Sequence, residues 1–156
     1  MNTRLFLLAG CLALPVPAWS QTLLDDYARA TALVTYMTMY VGESLLACAA
    51  AKALTDAQAD ARYRSYRERN AAVLERADAW SRGAEARLKT QGEQAAAQQL
   101  SQQAAMVASA AASERIEKEM QAAPDKSALC KARMLAIEGG RYDIGGNAEL
   151  RELLAR

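Results

Sequence analysis

The sequence predicts an all-α fold: an up-down antiparallel bundle of about four helices plus a short C-terminal helix, closed by one disulfide. Three observations carry this. Alanine is abundant, aromatic residues make up only 6%, and after the N-terminal leader proline occurs only at Pro124, a composition that favours helices. The proline-free span from Thr55 to Pro124 carries a heptad-like apolar seam. Cys48 and Cys130, the two cysteines outside the leader, bracket that span.

Residues 1–20 have the layout of a secretory signal peptide: Arg4 gives a positive start, Leu5 to Leu14 an apolar run, and Pro15 to Ala18 a helix-breaking approach to a small residue. Cleavage after Ala18 and cleavage after Ser20 both satisfy the small-residue rule. A rival reading takes Leu8-Ala9-Gly10-Cys11 as a lipobox, with Cys11 acylated and the protein lipid-anchored. The apolar stretch ahead of Cys11 is short for that role. Export places the protein in the periplasm or outside the cell, with residues 21–156 as a single domain.

A first helix is expected from Thr22, whose spacing to Asp25 fits a capping arrangement, to about Ala51. Tyr27, Val34, Met37, Val41, Leu45 and Cys48 recur at steps of three and four and give it an apolar face. Between Ala30 and Ala51 only Glu43 is charged. A membrane span is therefore conceivable by composition, but Glu43 would be costly in lipid and several threonines dilute the stretch. A helix buried in the bundle is the expectation, with no integral span in the mature chain.

Leu54-Thr55-Asp56-Ala57-Gln58 opens the second helix with a capping box, Thr55 toward the amide of Gln58 and Gln58 reaching back. Tyr63, Tyr66, Asn70, Val73, Ala77, Trp80 and Ala84 then form one continuous seam. Asn70 reads either as a buried register-setting contact or as a residue facing water. Arg62, Arg69 and Arg76 repeat every seven residues beside the seam, as charges that snorkel over the core. The neighbouring arginines and tyrosines superficially resemble a nucleic-acid patch, but export and a net charge near zero argue against nucleic acid.

Gln94 to Ser113 holds nine Ala, five Gln and three Ser and no charge. Its small side chains predict an inner or closely packed helix, the alternative being an exposed helix that self-associates into a homo-oligomer. A fold-back near Lys89 to Gly92 makes the span a hairpin, because Thr55 with Pro124 and Cys48 with Cys130 both mirror about residue 89. The rest of the chain is expected to pack onto this hairpin. The two thiols then lie at the same end of the bundle, in an oxidising compartment that favours a bridge. Closing so long a loop contributes on the order of 4 kcal/mol in the chain-entropy model.

Asp125 or Ser127 starts a helix that Gly139-Gly140 ends, and Asn147 caps a last short helix through Leu150, Leu153 and Leu154. Between them, Arg141-Tyr142-Asp143-Ile144 is the candidate partner-binding loop, since Arg and Tyr are over-represented among interface anchors. Its glycine spacing matches neither a phosphate-binding loop nor an EF-hand.

Catalysis is not expected. The chain has no histidine, which removes Ser-His and Cys-His sites, His-ligated zinc and haem, and the common neutral-pH base. No cofactor or metal is expected. The acidic pairs Asp56/Asp60, Glu75/Asp78 and Glu149/Glu152 share helical faces but read as solvated surface. The expected function is therefore non-catalytic binding of another envelope protein. Such a protein would be an inhibitor or immunity protein, or a subunit of a secretion or conjugation assembly. A third reading rests on Leu54-Thr55-Asp56-Ala57-Gln58, which resembles the LTxxQ signature of the Spy/CpxP family of helical periplasmic chaperones. That resemblance covers five of 156 residues and implies a stress-response chaperone.

Overall fold

A computed structural model describes residues 18–156, with side chains from Gln21 onward. The leader readings, Cys11 included, lie outside the described residues, apart from the two cleavage positions at the start of the first helix. The order is α1 (Ala18–Ala50), α2 (Asp56–Arg69), α3 (Ala71–Thr90), α4 (Gln94–Ala122), α5 (Lys126–Glu138), a 3-10 turn (Ile144–Gly146) and α6 (Ala148–Leu153). No strand occurs among the described residues. Cys48 and Cys130 are disulfide-bonded with their Cα atoms 5.5 Å apart, and both are buried.

The chain does double back at residues 91–93, but the hairpin is not the hub. α1 packs against every other helix, most extensively along α4, whereas α3 and α4 touch each other only sparingly. The two arms of the hairpin clasp α1 between them. The reason lies in the sequence of α1: with only Glu43 charged between Ala30 and Ala51, small and apolar residues occupy its whole circumference. Residues 31–39 are accordingly all half-buried. Length and composition alone would let α1 cross a membrane; in the fold its neighbours are other helices.

Three apolar clusters result. The main one joins Val41, Leu45 and Cys48 of α1 to Tyr66, Val73, Cys130, Ile137, Ile144, Leu150 and Leu153. A second, at the fold-back end, packs Leu24 and Tyr27 with Ala84, Leu88 and Ala97. The third sets Tyr40 against Ala112 and Ile116 of α4. The alanine-rich helix is thus closely packed, as expected of its small side chains, but peripheral. Ala97, Ala108 and Ala112 seat it closely on α1, and Met106 and Val107 face outward, 65% and 70% exposed.

Three helices end in the same way. After α1, α3 and α5 the chain makes the paired Schellman bonds, Ala53 N to Cys48 O with Lys52 N to Ala49 O, Glu93 N to Leu88 O with Gly92 N to Lys89 O, and Arg141 N to Ala136 O with Gly140 N to Ile137 O. The middle residue of each must be left-handed: Gly92 has φ +79° and Gly140 φ +78°, whereas Lys52 adopts φ +60° without the freedom of glycine. The starts follow the local spacing. Thr55 and Gln58 form the capping box in both directions, Asp125 caps α5 through Ala128 N, and Asn147 caps α6 through Leu150 N.

Two local expectations change. α1 begins at Ala18, so Thr22 lies inside the helix and not at its start. The second helix is interrupted at Asn70, which has φ −96°, ψ 3° and separates α2 from α3. The seam otherwise holds, with Tyr66, Val73, Ala77 and Ala84 buried and Tyr63 and Trp80 half-buried. The heads of Arg62 and Arg69 find partners beside the seam: Arg62 pairs with Glu138 at 3.0 Å, and Arg69 pairs with Asp143 at 3.0 Å while donating to Ile137 O at 2.6 Å. These bonds moor the end of α5 to α2.

Candidate partner-binding site

The loop after α5 divides into an anchored half and a presented half. Ile144 is fully buried in the main core, and Asp143 is held by Arg69 and by Asn70 Nδ2, at 3.2 Å. These two residues therefore anchor the loop from within the fold. Asn70 is the hub of this anchor. Its side chain donates to Tyr66 O at 2.9 Å and accepts from Ile144 N at 2.7 Å, and it is only 2% exposed, so the reading of a buried polar contact holds.

Arg141 and Tyr142 are left on the presented side. Tyr142 lays its ring against Tyr40, with centroids 5.3 Å apart, and Tyr40 stacks in turn on Tyr36 at 6.0 Å. Together with Leu33 and Met37 of α1, Arg115 of α4, and Asn147, they line a cavity of about 270 Å³. Arg115 closes one side. Its guanidinium lies 5.0 Å over the Tyr40 ring, donates to Tyr36 Oη at 3.0 Å, and reaches Glu119 at 2.8 Å.

Glu119 is the junction behind the pocket. It accepts from Arg115, from Tyr40 Oη at 3.0 Å, and from the buried Arg133. Burial alone would raise its carboxyl, but the hydrogen bonds from Arg115, Arg133 and Tyr40 outweigh that and hold it below the usual carboxylate range. Burial, with the Glu119 carboxylate as its acceptor, pushes the Tyr40 hydroxyl up, so it remains a donor at physiological pH. Arg141, by contrast, is exposed, and its guanidinium has no hydrogen bond or ion pair to any described residue.

Compared with known protein families, curated proteins and solved structures, the chain matches none. The site must therefore be read from its own chemistry.

A larger groove, of about 530 Å³, runs between α1 and α4 past Ala47, Ala50, Ile116 and Met120, with Glu43, Glu117 and Lys126 on its rim. Its walls combine three alanines with Ile116 and Met120, without an aromatic ring, and its charges are mixed in sign, so it offers little to orient a ligand. The smaller aromatic cavity is the better candidate despite its size, because fixed rings and guanidinium groups converge there. Among the described residues no group of His, Cys, Asp or Glu could hold a metal. Asp56, Asp60, Glu75, Asp78 and Glu152 are exposed, Glu149 pairs with Arg29, and none of them lines the aromatic cavity.

The sequence marks Arg141 and Tyr142 as site residues but not Tyr36, Tyr40, Arg115 and Glu119. A local signal is present, since Tyr36/Tyr40 and Arg115/Glu119 are each four apart on one helical face. What joins them is the lateral packing of α4 on α1, which no local spacing encodes. The LTxxQ residues have a local task here: Thr55 and Gln58 close the capping box and Leu54 is buried.

Proposed function

We propose that this is an exported, non-catalytic helical protein that works by binding another envelope protein. What supports the reading is the pocket in which a free guanidinium, Arg141, stands beside three packed tyrosine rings on a loop anchored from below. An anchored Arg/Tyr cluster of this kind has the composition and rigidity of an interface hot spot. A recessed pocket of this kind favours a one-to-one partner, as for an inhibitor or immunity protein. A subunit role in an envelope assembly draws instead on the uncharged outer face of α4, where Met106 and Val107 are exposed.

Site-specific photo-crosslinking tests the reading. Gly146 is exposed, precedes the pocket residue Asn147, and has room for a Cβ, which meets nothing within 4 Å, so this is the position chosen for a benzoylphenylalanine. Exposed Arg64 on α2 provides the control. A single adduct of defined mass from position 146, absent from position 64 and suppressed by excess unlabelled protein, is the expected result in the envelope of producing cells. Adducts of equal yield from both positions, or none from 146, would overturn it.

A further inference from the structure

The pocket's charge identifies what it is built to receive. Three guanidinium groups, those of Arg115, Arg133 and Arg141, surround it or stand directly behind it, and Glu119 is the carboxylate among them. The other nearby acid, Asp143, is already answered by Arg69. A surplus of positive charge therefore remains. Arg133 Nε and Nη1 have no hydrogen-bond partner among the described residues although the residue is 4% exposed. Arg115 is committed to Glu119 and Tyr36, so Arg141 is the group free to pair.

Arg141 is also held in place. Its backbone N–H closes the Schellman turn on Ala136 O at 2.9 Å, and Tyr142 and Asp143 are tied down immediately after it by Tyr40 and by Arg69. An arginine whose backbone is fixed in this way loses less backbone freedom on binding than one on a mobile loop. The volume of about 270 Å³ lies below the usual range for small-molecule and cofactor sites and suits one or two side chains.

We propose that the pocket receives an acidic side chain and an adjacent large apolar side chain from a partner polypeptide, the carboxylate pairing with Arg141 and the apolar group lying against Tyr36, Tyr40 and Tyr142. This deepens the partner-binding reading and rests on it. Bidentate geometry makes arginine the residue suited to a carboxylate, and the tyrosine faces supply the apolar wall.

The test uses the whole protein with carbon-13-labelled tyrosine rings, titrated with three acetylated and amidated peptides, Gly-Phe-Glu-Leu-Gly, its Gln counterpart and its Lys counterpart. The Glu peptide should shift the Tyr36, Tyr40 and Tyr142 resonances saturably in the millimolar range, at least about tenfold more tightly than the Gln peptide, with the difference shrinking as salt rises. The R141A variant should keep its melting temperature and bind the Glu and Gln peptides within about twofold of each other, and R141E should turn the preference toward Lys. Equal binding of Glu and Gln peptides by the unaltered protein, or no saturable shift at those tyrosines, would overturn the proposal. A specific adduct at position 146 with no acid preference would sink this chemistry alone. Acid-selective peptide binding with no adduct would instead sink the partner reading.

Discussion

Asn70 does more than any other single side chain to place the candidate site. It sits at the one interruption of the hairpin's first arm, donates to Tyr66 O and Asp143, and accepts the Ile144 amide. Alanine at this position would leave a buried N–H without an acceptor and free one face of Asp143, a cost of about 1–3 kcal/mol. Asn70→Ala should therefore lower the urea midpoint clearly, while Arg64→Ala, on an exposed side chain, should leave it within error. Equal midpoints for the two variants would show that the loop does not depend on this anchor. In the sequence Asn70 is recognisable as a polar residue on an apolar seam, and no more than that. Its partners Asp143 and Ile144 lie more than 70 residues away, and a periodicity cannot report them.

At the scale of elements, helix starts are more legible than helix ends. Thr55, Asp125 and Asn147 each satisfy an amide three residues on, a relation written in consecutive residues. Two of the Schellman ends carry glycine and are equally readable, but the third is filled by Lys52 at φ +60°, where composition gives no cue. That misfit is open to test. Lys52 is exposed, so Lys52→Gly removes the left-handed penalty without removing a buried contact and should stabilise the protein by roughly 1 kcal/mol. A lower melting temperature in this variant would mean that the lysine side chain contributes something its exposure does not reveal. The hub role of α1 is legible in part. Its low charge density is visible, but steps of three and four residues describe one face, whereas the fold buries parts of every side.

For the whole molecule, the bridge between Cys48 and Cys130 joins the end of the hub to the helix that leads into Arg141. An even number of cysteines outside the leader and the mirror symmetry about residue 89 make this pairing readable from the amino-acid order alone. With its ends 82 positions apart in the sequence, the crosslink should act mainly by restricting the unfolded chain, contributing on the order of 4 kcal/mol. Both cysteines are at most 1% exposed, so what replaces them also matters. Replacing both with alanine should remove the loop-closure contribution with only a modest packing loss. Replacing both with serine, or Cys48 alone with serine, should cost further, because a buried hydroxyl needs a partner. Denaturant unfolding of the alanine and serine pairs separates the two effects: a large loss common to both reports the closed loop, and the additional loss with serine reports burial. If the alanine pair unfolded at the same denaturant concentration as the parent, the noncovalent packing of α5 on α1 would already hold the loop and its arginine in place, and the staple would be dispensable for presenting the site.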